Sequence, residues 1–374
     1  MHDPDILSRR RPGHLDFDDH PLVAIWETTQ ACDLVCAHCR ACATPHLDPR
    51  ELTTSQGKQL LSAFAAMGTP LCVLTGGDPA KRADLVELVE HGAGAGLTMA
   101  LTPSGTPLMT EALLGALKRA RLARVAVSVD GPTPAMHDAF RGVEGSFAES
   151  LRILRQARAL GLETQINFTL SRPSLDELEA MAELARQVGA AMLVVFVVIP
   201  TGRATRALTL TADEIETALE QLARLGRDAP FQIKTTGAPQ LRRILMRQSA
   251  KQVPTGLLRD VHDGVAKGPR GVTDGVGFLF VSHTGDVYPS GFLPLRAGNV
   301  KLEDVGQLYR DSPVFRALRD ADSLGGKCGV CPFRRVCGGS RARAFAATGD
   351  ASAEDPGCSY VPRGYVPSMP AAAR

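Results

Sequence analysis

Trp26–Ala43 reads WETTQACDLVCAHCRACA, and this stretch decides how the rest of the chain is interpreted. It places four of the nine cysteines within eleven positions, directly after a short apolar run. Cys32, Cys36 and Cys39 have the spacing C-x3-C-x2-C, and Cys42 follows after two more residues. Because a bound metal deprotonates the thiols that ligate it, thiols this dense in one loop are typical of an inorganic centre.

The spacing of these cysteines is compatible with three kinds of centre. The first is an iron–sulfur cluster held by Cys32, Cys36 and Cys39, with one iron left open. The second is a closed cluster that also uses Cys42, since C-x2-C-x2-C partly matches a ferredoxin run. The third is a zinc ion, for which His38 would supply a nitrogen ligand. Spacing alone does not separate them.

The composition is that of an ordinary globular protein. The chain has 374 residues, of which 44% are hydrophobic and 22% are charged, and this length exceeds one average domain. A net charge of +2 gives no electrostatic basis for binding nucleic acid, and no apolar stretch reaches the length of a membrane span. The first residues, MHDPDILSRRRPG, lack the apolar core of a signal peptide. We therefore expect a cytoplasmic protein that binds neither nucleic acid nor membrane.

Eight of the nine cysteines fall into two sets, and in a reducing compartment such sets favour metal over disulfides. The second set has the spacing C-x2-C-x5-C-x20-C and consists of Cys328, Cys331, Cys337 and Cys358. Four thiolates describe a closed site, which zinc would accept on ligand count. The ninth cysteine, Cys72, lies in the apolar run LCVL and is expected to be an inert core thiol.

Short apolar runs alternate with amphipathic helical stretches from residue 21 onward. The predicted strands are 22–26, 71–74, 98–102, 124–129, 164–170 and 192–199. The predicted helices lie near 54–67, 81–94, 108–120, 146–160, 175–188 and 212–225. Capping boxes are expected at four helix starts: Thr53…Gln56, Ser146…Glu149, Ser174…Glu177 and Thr211…Glu214. This alternation predicts a parallel α/β sheet, either doubly wound or an incomplete barrel. A hairpin around Thr284-Gly285 is expected further along.

Polar or glycine-rich loops follow the first four predicted strands. The cysteine loop follows the first strand, and TGGDP at 75–79 follows the second. TPSG at 102–105 follows the third, and SVDG at 128–131 ends the fourth. Because the carboxyl ends of parallel strands share the edge where ligands bind, the sequence predicts that these loops converge on one site.

Together these motifs resemble the radical S-adenosylmethionine (SAM) superfamily, and specifically its members with a C-terminal SPASM-type auxiliary cluster domain. The likeness covers about residues 20–365 and includes CGGSRARAFAATGD at 337–350 and DPGC at 355–358. It implies an α/β fold, a partial (β/α)6 TIM-like barrel followed by an α+β iron–sulfur domain. The implied parts are a flexible N-terminal arm at 1–19, the barrel at 20–225, a connecting segment at 226–275, the SPASM-like domain at 276–365 and a tail at 366–374.

The resemblance assigns roles to individual residues. It implies a [4Fe–4S] cluster on Cys32, Cys36 and Cys39 whose open iron takes SAM, with Cys42 as a bystander and His38 shaping the loop. The residues expected to contact SAM are Gly76, Gly77, Asp78 and Pro79, which resemble a Gly-Gly-Glu-Pro motif with Asp in place of Glu, together with Ser104, Ser128, Asp130 and Arg141. A second [4Fe–4S] cluster is implied on Cys328, Cys331, Cys337 and Cys358. Ser290 stands where many members carry a further cysteine.

The activity implied by the resemblance is reductive cleavage of SAM to a 5′-deoxyadenosyl radical that abstracts hydrogen from an unactivated carbon. A ferredoxin or flavodoxin is the expected electron donor. Both cysteine regions most resemble enzymes of haem and haem d1 biosynthesis, so oxidative modification of a tetrapyrrole, such as propionate decarboxylation, is expected. The propionate anchors are expected among Arg334, Arg335, Arg341 and Arg343. Apolar contacts are expected from 254–277, Phe278, Phe280 and Phe292.

Two other functions remain open at this point. Many SPASM proteins modify a ribosomally made peptide, so a peptide maturase is the alternative enzyme. A chain with two closed clusters, one of them using Cys42, would instead be an electron carrier without SAM chemistry. Reductive cleavage of SAM separates that carrier from both enzymes.

Overall fold

One sheet of ten strands organises the part of the chain that the structure describes. In this computed structural model, the described residues are 16–249 and 271–366. The strands are β1 Val23–Glu27, β2 Leu71–Thr75, β3 Thr98–Leu101, β4 Arg124–Ser128, β5 Glu163–Leu170, β6 Met192–Val197, β7 Gln232–Thr236, β8 Phe278–Val281, β9 Asp286–Tyr288 and β10 Gly298–Asn299. Their order across the sheet is β10-β9-β8-β1-β2-β3-β4-β5-β6-β7.

Helices fill the connections between the parallel strands and form most of the C-terminal part. They are α1 Thr54–Ala66, α2 Leu85–Gly94, α3 Glu111–Arg119, α4 Pro134–Arg141, α5 Ser146–Ala159, α6 Leu178–Val188, α7 Ala212–Asp228, α8 Gln240–Ser249, α9 Val305–Asp311, α10 Pro313–Arg319, α11 Gly326–Gly329 and α12 Arg341–Thr348. No helix within the described ranges combines the length and apolarity that crossing a bilayer requires.

The strand order confirms the predicted parallel α/β architecture. Strands β1 to β7 are parallel and lie side by side in chain order, and the first six are the strands predicted from the sequence. Strand β8 pairs with β1 in parallel and begins the expected hairpin with β9. Within the described chain, β7 and β10 are the edges of the sheet, so the barrel is a partial one.

Residues along each strand alternate between the two faces of the sheet, because the strand pleat has a period of two. Ala24 and Trp26 of β1 belong to the main hydrophobic core, as do Cys72 and Leu74 of β2. The core thus lies between one face of the sheet and the helices. Cys72 is fully buried there, and burial strongly raises the pKa of its thiol.

We call the opposite face of the sheet the inner face. Alternate residues of each parallel strand lie on it. Among them are Ile25, Val73, Ala100, Ser128, Asn167, Phe196, Lys234 and Phe280. The inner face is apolar at one side and carries hydroxyl, amide and ammonium groups toward β7.

Local signals located some helix starts and missed others. The capping boxes are confirmed at Thr53…Gln56 and Thr211…Glu214. At Ser146 the prediction is wrong, because its hydroxyl donates to Asp138 at 2.8 Å instead of capping α5. At Ser174 the prediction is also wrong, because Ser174 forms its box with Ser171 at the start of a 3₁₀ turn.

The expected N-terminal arm is described only at 16–19, and that part is packed. Phe17 is buried against Leu22 and Val276, and the Tyr309 hydroxyl donates to the Phe17 carbonyl at 2.6 Å. Residues 1–15, 250–270 and 367–374 lie outside the described chain. The domain boundaries stay predictions. Strand β7 lies within the predicted connecting segment 226–275 and β8 follows that segment, and both strands belong to the one sheet.

Candidate functional site

The cysteine loop is pressed against the TGGDP loop at the carboxyl ends of β1 and β2. The Gly77 N–H donates to the Thr29 carbonyl at 2.8 Å, and the Asp78 N–H donates to the Ala31 carbonyl at 2.6 Å. A Cβ on Gly76 would lie 2.4 Å from the Thr29 oxygen, and one on Gly77 would lie 2.4 Å from the Ala31 oxygen. Glycine is therefore required at both positions for the two backbones to meet.

Asp78 and Ser104 tie three loops together beneath the cysteines. The fully buried Asp78 carboxylate accepts the Thr106 hydroxyl at 2.7 Å. Burial raises the pKa of Asp78. The Ser104 hydroxyl donates to the Gly77 carbonyl at 2.7 Å and lies 3.3 Å from the Cys32 sulfur. The loops after the first three strands therefore meet at one point, as the sequence predicted.

Three thiols of the loop form one cluster of side chains. Cys32 and Cys36 are buried, and Cys39 packs against them while remaining half-buried. Each sulfur accepts an N–H hydrogen bond, Cys32 from Leu34 at 3.4 Å, Cys36 from Arg141 at 3.6 Å and Cys39 from Ala43 at 3.4 Å. Such N–H···S bonds stabilise thiolates and tune iron–sulfur clusters, so this donor set fits a cluster with three protein ligands.

Cys42 differs from these three cysteines in its surroundings. Its thiol is exposed, and its backbone lies in the left-handed region with φ of 48°. Its N–H donates to the Cys39 carbonyl at 3.3 Å. The loop thus turns at Cys42 and leaves its sulfur outside the buried thiol cluster. The bystander role of Cys42 stays a prediction.

Arg203, just after β6, braces the cysteine loop from the far side of the sheet. Its Nε donates to the Cys36 carbonyl at 3.0 Å, and its Nη1 donates to the Ala43 carbonyl at 3.2 Å. A Cβ on Gly202 would lie 2.4 Å from the Cys39 carbonyl. Sequence reasoning missed Arg203, although its place after the sixth strand puts it at the ligand edge of the sheet.

A buried charge cluster lies beside the thiols. Asp130 accepts Arg141 at 2.5 Å and lies 3.6 Å from His38 Nε2. Burial would raise the pKa of Asp130, but the charge of Arg141 outweighs it and holds the pKa low. Burial lowers the pKa of both His38 and His137 to about 4, so both are neutral at pH 7. Arg141 is therefore balanced by Asp130, and its contact with SAM stays a prediction.

The other predicted site residues lie around the same centre. Pro79 is buried at the start of a 3₁₀ turn after β2. Ser128 ends β4 on the inner face beside Asn167, and its side chain has no hydrogen bond to a described residue. His38 stacks on Phe140 with ring centroids 4.4 Å apart. The SAM contacts expected of Gly76, Gly77, Asp78, Pro79, Ser104, Ser128 and Asp130 stay predictions.

A second buried charge network, which sequence reasoning missed, holds the loop between Cys39 and Cys42. Glu27, at the end of β1, forms an ion pair with Arg40 of the loop. The same carboxylate accepts His283 Nδ1, from the hairpin turn, at 2.7 Å. In the sequence, Glu27 and Arg40 lie close to the cysteine motif and could have suggested an ion pair. His283 lies far along the chain, so its part in the network could not be predicted.

Stability of the protein is expected to depend on the charge of His283. Burial lowers the pKa of His283, but the hydrogen bond and charge of Glu27 outweigh it and raise the pKa. A raised histidine pKa stabilises the fold fully below the unfolded value of about 6.5, and this stability is lost as pH rises through the folded pKa. His283→Gln should therefore cost about 1.5–3 kcal/mol at pH 6, as for a hydrogen bond to a charged group.

Thermal unfolding of both proteins between pH 6 and pH 9 checks this expectation, with His20→Gln as the control. His20 Nδ1 contacts the Met67 carbonyl at 2.6 Å and pairs with no carboxylate among the described residues. The difference in free energy of unfolding between the wild type and His283→Gln should become smaller as pH rises above 6.5. A difference in unfolding free energy that stays constant over this pH range would contradict a stabilising role for the charge of His283.

The second cysteine set lies in the C-terminal part, around α11 and the segment after α12. Cys328 and Cys337 are buried, and Cys331 and Cys358 are half-buried. The Cys328 sulfur accepts the Asp355 N–H at 3.4 Å. The backbone N–H groups of Phe333, Gly339 and Tyr360 act to lower the pKa of Cys331, Cys337 and Cys358, but burial outweighs them and raises it. Burial raises the pKa of Cys337 to about 12, so this thiol needs a bound metal to ionise near pH 7.

Neither cysteine set is arranged around a single ion. Within residues 16–249 and 271–366, no three His, Cys, Asp or Glu side chains converge so that they could hold one metal ion. A zinc ion would need its thiolates about 2.3 Å from one point. A multi-iron cluster places its thiolates on different irons and so sets them further apart. That the second set holds an iron–sulfur cluster rather than zinc stays a prediction.

Two of the four arginines near the second set are structural, which corrects the expectation that these two are free propionate anchors. Arg343 is buried and pairs with Asp355 at 3.1 Å. Arg341 is also buried, and it donates to two backbone carbonyls and to the Cys328 sulfur at 3.5 Å. Arg334 and Arg335 share one exposed carboxylate, that of Asp322, and an exposed ion pair of this kind contributes little to stability. That Arg334 and Arg335 bind propionates stays a prediction.

Aromatic side chains line the inner face near β8. Phe280 lies 6.4 Å from Tyr288, and Phe196 lies 6.4 Å from Phe292, measured between ring centroids. The Arg40 guanidinium lies 4.6 Å over the Phe280 ring. The apolar wall therefore adjoins the cysteine loop. Of the segment 254–277, which was expected to add to it, 254–270 lies outside the described residues.

The part of the sequence that forms this site also matches a known protein family. Residues 26–185 match the model of the Radical SAM superfamily. These residues include the cysteine loop, the TGGDP loop and the Asp130–Arg141 pair, all of which surround the carboxyl ends of β1 to β4.

Individual relatives resemble the chain over most of its length. The AdoMet-dependent heme synthase of Oleidesulfovibrio alaskensis is 40% identical over 340 residues, which are 90% of this chain and 87% of the relative. The PqqA peptide cyclase of Ruegeria pomeroyi is 31% identical over 350 residues, 91% of this chain and 88% of that one. The crystal structure of Streptococcus suis SuiB bound to S-adenosylmethionine has a TM-score of 0.70 at 14% identity, covering 91% of this chain and 78% of SuiB. This last likeness concerns the fold alone.

Proposed function

Because the chain belongs to the radical SAM superfamily, in the branch of the haem and haem d1 biosynthesis enzymes, we propose that it decarboxylates a propionate side chain of a tetrapyrrole. A 5′-deoxyadenosyl radical would take one hydrogen atom from the ionised propionate side chain and the auxiliary cluster would accept one further electron, which leaves a vinyl group and carbon dioxide. The observation that carries this proposal is the three-thiol loop at the open edge of an apolar inner face, in a chain that is 40% identical to a heme synthase.

The residues that would hold the first cluster are Cys32, Cys36 and Cys39. When bound, a [4Fe–4S] cluster and SAM supply a one-electron reductant and a 5′-deoxyadenosyl radical able to take hydrogen from carbon. The N–H donors to the three sulfurs stabilise their thiolate forms. The buried Asp130–Arg141 pair and the neutral His38 form a polar, closely packed surface beside the three thiols. These residues would orient SAM and exclude water.

The inner face supports a flat substrate with anionic edges. Phe196, Phe280 and Phe292 offer an apolar wall to a macrocycle. Arg341 and Arg343 are committed to internal partners, so an anchor nearer the inner face is needed. Arg203 is the candidate we favour, because its Nη2 is buried and has no partner among the described residues. A carboxylate would satisfy that nitrogen through a charge-assisted bond.

The second cysteine set would hold the auxiliary cluster. Its four cysteines are buried or half-buried, and a fourth protein ligand leaves no open iron. A closed cluster is suited to electron transfer rather than to SAM binding. We propose a ferredoxin or flavodoxin as the reductant of the enzyme.

Titration of the reconstituted enzyme with iron-coproporphyrin tests the substrate. We expect the porphyrin spectrum to change at micromolar concentration and the product to be lighter by one carboxyl group for each propionate converted. Arg203→Gln should weaken porphyrin binding about tenfold to a hundredfold, as expected for a charge-assisted bond of 1.5–3 kcal/mol. Arg206→Gln, on the exposed turn that follows, is the matched control.

The peptide maturase remains the second candidate function, since a PqqA peptide cyclase is 31% identical over most of the chain. Turnover of a peptide encoded beside the gene, together with no porphyrin binding, would contradict the tetrapyrrole proposal. Porphyrin binding without loss of carbon dioxide would contradict the decarboxylation while keeping the substrate class.

A further inference from the structure

Helix α8 packs its buried face against the second cysteine set. The Gln240 amide donates to the Asp355 carboxylate at 2.7 Å, and the same carboxylate accepts the Ser340 N–H at 2.7 Å. Arg242 donates to the Val336 carbonyl, next to Cys337, at 3.5 Å. The helix and the cysteine loops thus form one packed unit.

Arg243 is the most deeply buried cation on this helix, with an exposed fraction of 1%. Its Nη2 pairs with Glu216 of α7. Its guanidinium lies 4.9 Å over the ring of Tyr360. Its Nε and Nη1 are buried and have no hydrogen-bond partner among the described residues.

Two unsatisfied donors on a buried guanidinium are costly. Each buried donor without an acceptor costs about 1–3 kcal/mol, and more on a charged group. A buried charge is normally compensated by a partner that satisfies its remaining protons. A site with two such free N–H groups therefore points to an acceptor that belongs to a bound group.

The nearest candidate for that group is the centre held by the second cysteine set. Tyr360, whose ring lies beneath Arg243, is two residues from Cys358 of the set. Burial would lower the pKa of Arg243, but its hydrogen bond and ion pair with Glu216, with smaller contributions from the nearby Cys358 and Cys337, outweigh burial and raise the pKa. Arg243 therefore lies on the side of the set that Cys337 and Cys358 form.

We propose that Arg243 is a positioning residue of the auxiliary centre and donates its Nε–H and Nη1–H to the sulfur atoms of the cluster on the Cys337 and Cys358 side. This inference rests on the proposed function, which places a [4Fe–4S] cluster there. N–H donors and positive charge near the sulfurs stabilise the more negative, reduced state of a cluster. Arg243 thus raises the reduction potential of the auxiliary cluster and favours its acceptance of an electron.

A redox titration isolates this effect from catalysis. In a Cys36→Ala background the first cluster is removed, so an electron paramagnetic resonance titration reports the auxiliary cluster alone. Adding Arg243→Met should shift the reduction equilibrium at least tenfold toward the oxidised state, which is about 59 mV for one electron. Arg243→Lys keeps the positive charge but loses the paired N–H donors of the guanidinium group. The reduction potential of the auxiliary cluster in Arg243→Lys should therefore lie between those of the wild type and Arg243→Met.

Two matched variants separate a redox role from a packing role. Arg247 lies 5.5 Å over the same Tyr360 ring but is exposed, so Arg247→Met should leave the potential unchanged. Glu216→Gln removes the ion pair of Arg243 but not its N–H donors, so the potential should stay level or rise. A potential that falls equally in Glu216→Gln and Arg243→Met would overturn the inference, since the ion pair alone would then explain it.

The outcomes also distinguish this inference from the proposed function. Four irons and an unchanged potential in Arg243→Met would overturn the role of Arg243 and leave the second cluster in place. Stoichiometric zinc in the Cys36→Ala background would overturn both, because no bridging sulfide would then face the guanidinium. Should Arg243→Met fail to assemble a cluster, Arg243→Lys decides by its potential.

Discussion

Cys36→Ala is expected to abolish reductive cleavage of SAM to 5′-deoxyadenosine. Cys36 is buried, its sulfur accepts an N–H bond from Arg141, and its carbonyl accepts one from Arg203. Its loss leaves two thiols, which do not hold a [4Fe–4S] cluster with one open iron. Chromatography of 5′-deoxyadenosine after reduction with dithionite measures the effect, and we expect activity at background level.

Cys42→Ala is the matched control for that experiment. Both residues are cysteines of the same loop, but the Cys42 thiol is exposed and lies outside the buried thiol cluster. Cleavage by Cys42→Ala should therefore equal that of the wild type within about twofold, since surface substitutions away from such features cost at most about 0.5 kcal/mol. Loss of cleavage in Cys42→Ala would contradict the three-ligand assignment and support the closed cluster of an electron carrier.

Cys331→Ala is expected to stop product formation while SAM cleavage without substrate continues. The two cysteine sets lie in different parts of the fold, one at the end of β1 and the other around α11, so the loss of one ligand should affect only its own centre. Iron should fall from roughly eight to roughly four atoms per chain, because each [4Fe–4S] cluster contributes four. Iron analysis, 5′-deoxyadenosine and product are measured on the same sample.

Val330→Ala controls for the effect of substitution in this segment, because Val330 is adjacent and exposed. It should retain eight irons and full product formation. A folded Cys331→Ala protein that no longer cleaves SAM would show that the two centres are not independent. Four irons together with stoichiometric zinc in the wild type would instead identify the second set as a zinc site.

Much of the fold was predictable because its signals are local. The strands β1 to β6 alternate or run apolar within a few residues, and the helices between them are amphipathic. The capping boxes at Thr53 and Thr211 formed because each needs only a partner three residues away. Those at Ser146 and Ser174 failed because Asp138 and Ser171, outside the expected box, competed for the same hydroxyls.

The candidate site was predictable where it depends on spacing and not where it depends on distant partners. Cys32, Cys36 and Cys39 are close in the chain and are close in the fold. Glycine is required at 76 and 77 because the backbone there contacts Thr29 and Ala31 of the cysteine loop. The sequence pattern suggests a turn at this point but does not establish that contact.

What the sequence by itself determined is the parallel α/β sheet, the two cysteine sets and the edge of the sheet where the loops meet, since each follows from residues within one loop or one strand–helix unit. Only the tertiary structure decided which charged groups are free. Arg341 and Arg343 look available in the sequence, yet backbone carbonyls and Asp355 occupy them. Arg203 and Arg243 look ordinary, yet they keep buried N–H groups without partners in the described chain. The physical reason is that burying a guanidinium requires acceptors, and these come from parts of the chain that only folding brings together.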